Sequence, residues 1–281
     1  MNYTGKYINL AKAKQRNDFM QTQLTNMGVS AQYERFEGIV KGSSGARIVG
    51  QFSPREQGCR LSHLGIMEQV VSTPTNDALH ILEDDALLHP SHHLIVQKAL
   101  QSLANTQWDI LFTGATFIFF EDYIPLFDTP YQDYIRSNRQ NFCLLNLGKI
   151  QTNGAYSYII NPRSLSKIHN LVANTQMPID FIYRQLIGQK VIKAFCVFPT
   201  LAKHNYEFDS TIEEKPTDWV LHGLYQRLYY KDEDLEQLYE ETRKYGRELG
   251  MQSEIQVLSF ASLLQYFIEM FGVFQATRRK R

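Results

Sequence analysis

The run Leu79-His80-Ile81-Leu82-Glu83-Asp84-Asp85 constrains this chain more than any other stretch of it. A short apolar segment stops abruptly in three consecutive carboxylates. Apolar runs of this length, bounded by polar residues, read as buried strands. Three like charges at one strand end repel each other and are tolerated where a cation or water neutralises them. Ligands of open α/β sheets sit at the carboxyl ends of strands. The run therefore predicts a buried strand of an α/β fold with a metal-assisted site at its end. A hard divalent cation bridging carboxylate and diphosphate suits that position.

The bulk properties narrow the function classes. A chain of 281 residues accommodates one large domain, or a domain with an appendage. Lys+Arg and Asp+Glu balance at 29 each, whereas a general nucleic-acid binder carries a basic excess. Aromatic residues make up 12% of the chain, enough for a core plus a sugar-contacting cleft. Cys59, Cys143 and Cys196 lie far apart and form no CxxC pair, which disfavours a zinc ribbon. An odd cysteine count without a disulfide framework favours a reducing compartment. The first residues lack the long apolar segment of a signal peptide, so the expected location is cytoplasmic.

Along the chain, the pattern predicts a strand at residues 6–10, a helix over about 12–27 ended by Gly28, and a strand within 29–36. That is the rhythm of a parallel sheet with crossover helices. Residues 42–52 are rich in Gly and Ser and read as a loop. Ser53-Pro54-Arg55-Glu56 has the form of a capping box with Pro at the first helical position. The helix it opens should reach about residue 71, with Cys59, His63, Ile66 and Val70 on one face. Further helices are expected over 91–104 and from Asn161-Pro162 and Pro178-Ile179-Asp180, and further strands over 108–113, 155–160 and 191–197. Residues 121–141 lack periodicity and read as a long loop or lid.

After Pro216 the character turns helical, including 232–250, so the expected division is 1–215 and a helical extension, 216–281. Residues 255–274 are apolar but carry Gln256, Gln265 and Glu269, and end in Arg278-Arg279-Lys280-Arg281. The internal polarity argues against a spanning helix. An amphipathic helix lying on an anionic membrane fits the segment. A helix packed on the first domain, or a homodimer contact, fits it equally.

Four pieces in order carry a family resemblance: Tyr7-Ile8-Asn9-Leu10 with Arg16, Glu56-Gln57-Gly58-Cys59-Arg60-Leu61-Ser62-His63, Ile81-Leu82-Glu83-Asp84-Asp85, and Gly154-Ala155-Tyr156 with Pro178-Ile179-Asp180. Together they resemble the bacterial lipooligosaccharide glycosyltransferases of glycosyltransferase family 25, to which animal collagen galactosyltransferases also belong. Each piece is weak alone and the ordered set is specific. The resemblance spans roughly residues 6–212, is looser over 204–211, and says little about the tail. It implies a GT-A-type nucleotide-binding sandwich, a Rossmann-like mixed sheet with helices on both faces. It also implies a UDP-sugar donor, most often UDP-galactose, a lipooligosaccharide or lipopolysaccharide acceptor at the inner face of the cytoplasmic membrane, and inversion at the anomeric carbon.

Glu83-Asp84-Asp85 has the acidic-x-acidic spacing of GT-A metal sites. If the backbone stays extended, Glu83 and Asp85 point one way and Asp84 the other. Asp85 is then the direct ligand of Mn2+ or Mg2+, Glu83 a ligand or ribose contact, and Asp84 an orienting neighbour. His204 is the candidate late ligand, with a plain surface or core histidine as the alternative. Asp180 is the candidate base, unless it only caps a helix; Glu121 and Asp122 are the reserves. By the resemblance, Ile8, Asn9 and Arg16 hold the nucleotide, Ser62 and His63 line the donor pocket, and Gly154 and Ala155 let the sugar approach the backbone. His63 is otherwise a packed core histidine, and Tyr156 stacks on a sugar or packs in the core. A metal-dependent phosphoesterase or nucleotidyltransferase shares the acidic cluster, and a catalytically silent glycan-binding or assembly protein shares the fold.

Overall fold

The computed structural model describes residues 1–40, 52–73, 75–117, 136–205 and 226–246, together with Leu126, Pro130, Asp133, Tyr134 and Phe208. The chain starts with β1 (Tyr3–Asn9), α1 (Lys14–Asn26), β2 (Tyr33–Glu37), α2 (Pro54–Ser72) and β3 (Ala78–Glu83). Then come β4 (Ala86–Leu88), α3 (His92–Ser102), β5 (Ile110–Phe112), β6 (Thr116–Phe117), β7 (Cys143–Asn146) and β8 (Thr152–Asn153). β9 (Ser157–Ile160), α4 (Leu165–Ala173), α5 (Ile179–Gly188), β10 (Ala194–Phe198), β11 (Ala202–His204) and α6 (Leu235–Gly246) complete it.

One seven-stranded sheet runs in the order β2-β1-β3-β9-β5-β10-β7. β1 is parallel to β2 and β3, and β10 is parallel to β5. β9 runs antiparallel between β3 and β5, and β7 runs antiparallel on β10. The fold is thus α/β with a mixed, Rossmann-like sheet.

β3 shows why both faces are covered. Its first five residues are all buried, the signature of a central strand with helices above and below. Leu79 and Ile81 face a core that holds Ile66, Met67 and Val70 of α2, Ile168 of α4 and Ile182 of α5. Ala78 and Leu82 face the other core, with Met20 and Leu24 of α1 and Val96 and Leu100 of α3. Each such side chain contributes about 1.5–3 kcal/mol on burial.

The helix starts follow local chemistry. Ser53 Oγ accepts from Glu56 N at 3.2 Å while Ser53 N donates to Glu56 Oε2 at 2.6 Å, so the capping box forms as expected. β2 starts later than the sequence suggests because residues 30–32 make a 3-10 turn. β9 starts at Ser157 because Gly154 takes a left-handed φ of +88°, which turns the chain before it can extend.

Residues 226–246 pack onto this α/β unit. Leu228, Tyr229 and Leu238 are buried in the α2-side core. Thr200 N donates to Tyr229 O at 2.7 Å, and Lys231 N donates to Thr200 O at 3.0 Å. Glu233 receives Lys203 at 2.9 Å and Arg227 at 2.5 Å, and Arg227 also meets Glu241. Among the described residues no helix is long and apolar enough to cross a membrane. The loop at 42–51, most of the expected lid, with Glu121 and Asp122, and the segment 255–281 lie outside the described residues.

Candidate active site

The site forms where β1 and β3 end side by side. Their register sets Ile8 opposite Glu83, which brings Asn9 next to Asp84. Asn9 Nδ2 donates to Asp84 Oδ2 at 2.7 Å and to Ala13 O at 3.0 Å, and Asn9 Oδ1 accepts from Arg35 Nε at 2.8 Å. From α1, Arg16 Nη1 donates to Asp84 Oδ1 at 2.8 Å and to Asp85 Oδ2 at 3.2 Å. The Arg16 guanidinium lies 5.4 Å from the centre of the Phe208 ring.

This arrangement corrects the expected division of the acidic triplet. Glu83 continues the Leu79 and Ile81 face towards α2, and Asp84 lies on the opposite side with Asn9, as alternation requires. Asp85 does not turn away from Asp84 as alternation would have it. The strand ends at Glu83, and residues 84 and 85 form a turn into β4. The turn swings Asp85 to the arginine it shares with Asp84. Part of the neutralisation demanded of a cation is therefore built in as Arg16.

β11 supplies the other half. It pairs antiparallel with β4, His204 opposite Ala86, and Asn205 N donates to Asp85 O at 2.8 Å. The pairing sets His204 Nδ1 at 3.6 Å from Asp85 Oδ1. The Tyr156 ring packs against the imidazole, 4.1 Å between centres. Gly114 makes room for this: a Cβ there would lie 2.4 Å from the Tyr156 ring and 2.7 Å from Ala202 O. Behind His204, Gln226 Oε1 accepts from the His204 backbone N at 2.9 Å, and Gln226 Nε2 donates to Thr116 Oγ1 at 2.5 Å.

The electrostatics follow from burial and these partners. Burial and the neighbouring Asp85 push Asp84 up to about 6, against the pull of Arg16 and Asn9. Burial opposes ionisation of Asp85 too, yet His204 and Arg16 together hold it below the usual carboxylate range. Burial works against a charged His204, and Asp85 with Glu83 raises it nevertheless.

Among the described residues Asp85 Oδ1 is buried without a hydrogen bond, and only the His204 imidazole faces it, at ion-pair distance. A buried carboxylate oxygen left without a donor is costly. A divalent cation would satisfy it, and His204 Nδ1 is the neighbouring donor atom. An oxygen and an imidazole nitrogen fit manganese, and the carboxylate alone fits magnesium.

Glu83 is held from α2. Its Oε1 lies 3.3 Å from His63 Nε2 and 3.9 Å from Cys59 Sγ. Donor atoms of Cys59, His63 and Glu83 fall within 4.8 Å of one another, but here the thiol and the imidazole serve as hydrogen-bond donors to the carboxylate. Burial, then the charge of Glu83, raises the Cys59 thiol well above its ordinary value, so it keeps its proton. His63 is wholly buried behind Glu83 and presents no surface to a pocket. Ser62 Oγ donates to Gly58 O and accepts from Ile39 N, both at 2.8 Å, and so tethers the chain after β2.

Asp180 sits across from Glu83 in the first turn of α5. The helix is capped at Pro178, not at Asp180. The Asp180 carboxylate accepts from Phe181 N at 2.9 Å and from the Gly154 backbone. Burial raises its pKa, and the charge of Glu83 adds to the rise. Ala155, next to Gly154, is buried in the α2-side core.

The family model for glycosyltransferase family 25 (LPS biosynthesis protein) matches residues 6–183, well over half of the chain. This chain belongs to glycosyltransferase family 25. A search of curated proteins gives no match. Family 25 membership makes it a glycosyltransferase, working between a sugar donor and a saccharide acceptor. The matched span runs from β1 into α5 and contains the site residues contributed by β1, α1, α2, β3 and the start of α5, whereas His204, Asn205, Phe208 and Gln226 lie beyond it.

Sequence reasoning missed several partners in this family 25 site. Arg35 and Gln226 carry no local signal. Cys59 stood out in a helix stripe and in a family motif, but with no role assigned to it. Tyr158, in the β9 strand, and Tyr183, in α5, read as core aromatics, which they also are.

Proposed function

We propose that this glycosyltransferase moves a hexose, with galactose from UDP-galactose as the leading candidate, onto a saccharide of lipooligosaccharide or lipopolysaccharide, inverting the anomeric carbon. The observation that carries the reading is the buried Asp85 Oδ1, which has no hydrogen bond among the described residues and faces only the His204 imidazole, Nδ1 at 3.6 Å, in a chain of this family. Asp85 and His204 would hold Mn2+ or Mg2+, with Glu83 on the sugar-nucleotide side. Bound there, the cation supplies Lewis-acid stabilisation of the leaving diphosphate. Arg16 and Asn9 keep Asp84 and Asp85 in place without giving up their own hydrogen bonds. Asp180 takes the acceptor hydroxyl proton, a role that its burial-raised proton affinity favours. The acceptor oxygen bonds to the anomeric carbon as the bond from that carbon to the diphosphate oxygen breaks, and UDP leaves. We place the acceptor at the inner membrane face, approached through residues 255–281.

A donor screen tests this. UDP release is measured with UDP-galactose, UDP-glucose and UDP-N-acetyl sugars, with manganese and a truncated lipooligosaccharide acceptor. Release should be fastest from UDP-galactose, stop with a chelator, and fall about a hundredfold or more in Asp85→Ala. Full activity of the chelated enzyme or of the variant would remove the cation from the reading. No UDP release from any donor would favour a silent glycan-binding protein.

A further inference from the structure

Behind Glu83 runs a line of buried hydroxyls and an imidazole that the reaction itself does not use. Tyr183 OH donates to Tyr158 OH at 3.1 Å. Tyr158 OH lies 2.8 Å from His63 Nδ1, and His63 Nε2 lies 3.3 Å from Glu83 Oε1. Tyr158, Tyr183 and His63 are all but wholly buried, whereas the Glu83 side chain keeps about a fifth of its surface exposed. The line connects the core to the edge of the site.

The direction of each bond follows from counting protons. A phenol has one hydrogen to donate. Tyr158 accepts the proton of Tyr183, so its own hydrogen points to His63 Nδ1. That nitrogen is then an acceptor, and the ring proton sits on Nε2, facing a carboxylate that can only accept. Burial, before any other cause, raises the pKa of both phenols, so both keep the protons the line needs. The His63 ring also stacks on the Tyr158 ring, with centres 5.7 Å apart and planes at 22°, which fixes its plane. The Cys59 thiol points at the same oxygen, Glu83 Oε1.

We propose that Tyr158 and His63, backed by Tyr183, are positioning residues that lock the Glu83 carboxylate by its Oε1 and leave Oε2 to receive a hydroxyl of the sugar nucleotide. This deepens the function proposed above and rests on it. It assigns Glu83 to reading the donor and leaves cation binding to Asp85 and His204. Tyr158→Phe removes one hydroxyl and nothing else. It frees His63 Nδ1 to take the ring proton, which would turn a lone pair towards Glu83 and push the carboxylate away.

Two readouts test the proposal. Nitrogen-15 spectra of the histidine ring should show the Nε2–H tautomer for His63 in the parent protein and its loss in Tyr158→Phe. In steady-state assays Tyr158→Phe should raise the donor KM about tenfold, while manganese affinity by titration calorimetry stays within twofold of the parent. An Nδ1–H tautomer or a charged imidazole in the parent overturns the line. So does an unchanged donor KM, or a loss of manganese affinity matching that of Asp85→Ala. Should Tyr158→Phe be too unstable for assay, Tyr183→Phe, one bond further from the site, should give a smaller change of the same sign. The tautomer readout stands even if no UDP-sugar is turned over, so failure of the line and failure of the proposed activity are separable.

Discussion

Arg16 bears on the site more heavily than any single acid. One nitrogen of its guanidinium meets both Asp84 and Asp85, and all three residues are largely withdrawn from water. Removing one member of a buried charge cluster strands the others, at a cost of about 3–5 kcal/mol. Arg16→Ala should lower unfolding stability by that amount, read from urea midpoints, and should raise Asp84 beyond its present value of about 6. A loss below about 1 kcal/mol would mean that the carboxylates are balanced by something else. At this scale the sequence anticipated which residues gather but not how they are oriented. The structure brings the expected Asp85 and His204 together, and sets the Asp180 named by the resemblance near Glu83. The side Asp85 takes was not legible, because alternation presumes an extended chain and this chain turns after Glu83. The tyrosines behind His63 were hidden because a buried Tyr and a hydrogen-bonding Tyr look alike in a sequence.

Among the elements, the longer ones were legible and the shortest were not. α2 announced itself by its capping box, and β3 by its apolar run. β4 and β11 have three residues each, too few for any period to show. Their pairing nevertheless shapes the site, since it carries His204 to Asp85. Gly114 guards that pairing. In Gly114→Ala the new methyl would meet the Tyr156 ring and the Ala202 carbonyl, both at under 3 Å. Overpacking of this kind costs about 1–3 kcal/mol. The variant should keep its sheet, by far-ultraviolet dichroism, while manganese affinity and turnover fall together. Undiminished manganese binding would show that β11 does not set the ligand pair.

Over the whole molecule, stability should depend on acid through a second set of buried histidines, on the other side of the sheet from His63. His80 and His92 stack with ring centres 5.2 Å apart and planes at 5° in the core between the sheet, α1 and α3. Burial lowers both, His92 to about 3. In the unfolded chain each would titrate near 6.5. Native stability from this source is therefore complete above about pH 6.5 and is lost as pH falls through 6.5 towards the native value. Between pH 7 and pH 5 the loss should be about 2 kcal/mol for His92, with His80 adding in the same direction, measured by urea unfolding at both pH values. A His92→Gln variant should show a shallower dependence; equal slopes would assign the acid sensitivity elsewhere. The α/β class was legible at this scale, because strand and helix alternate so plainly up to residue 104, but that alternation suggested a parallel sheet and only the family resemblance implied the mixed one. The docking of 226–246 was not legible, since Leu228, Tyr229 and Leu238 declare no partner in sequence.

The pairing of Asp85 with His204 also has a consequence in time. The acids leave the ribosome more than a hundred residues before the imidazole does. At about 5–20 residues per second, that gap lasts roughly 6–24 seconds. Through it a growing chain carries its acidic triplet without the ligand partner that would close on a cation. Arg16 precedes the triplet in the chain, so the counter-charge is already in hand. The arginine thus serves a half-made protein first, and the finished enzyme afterwards.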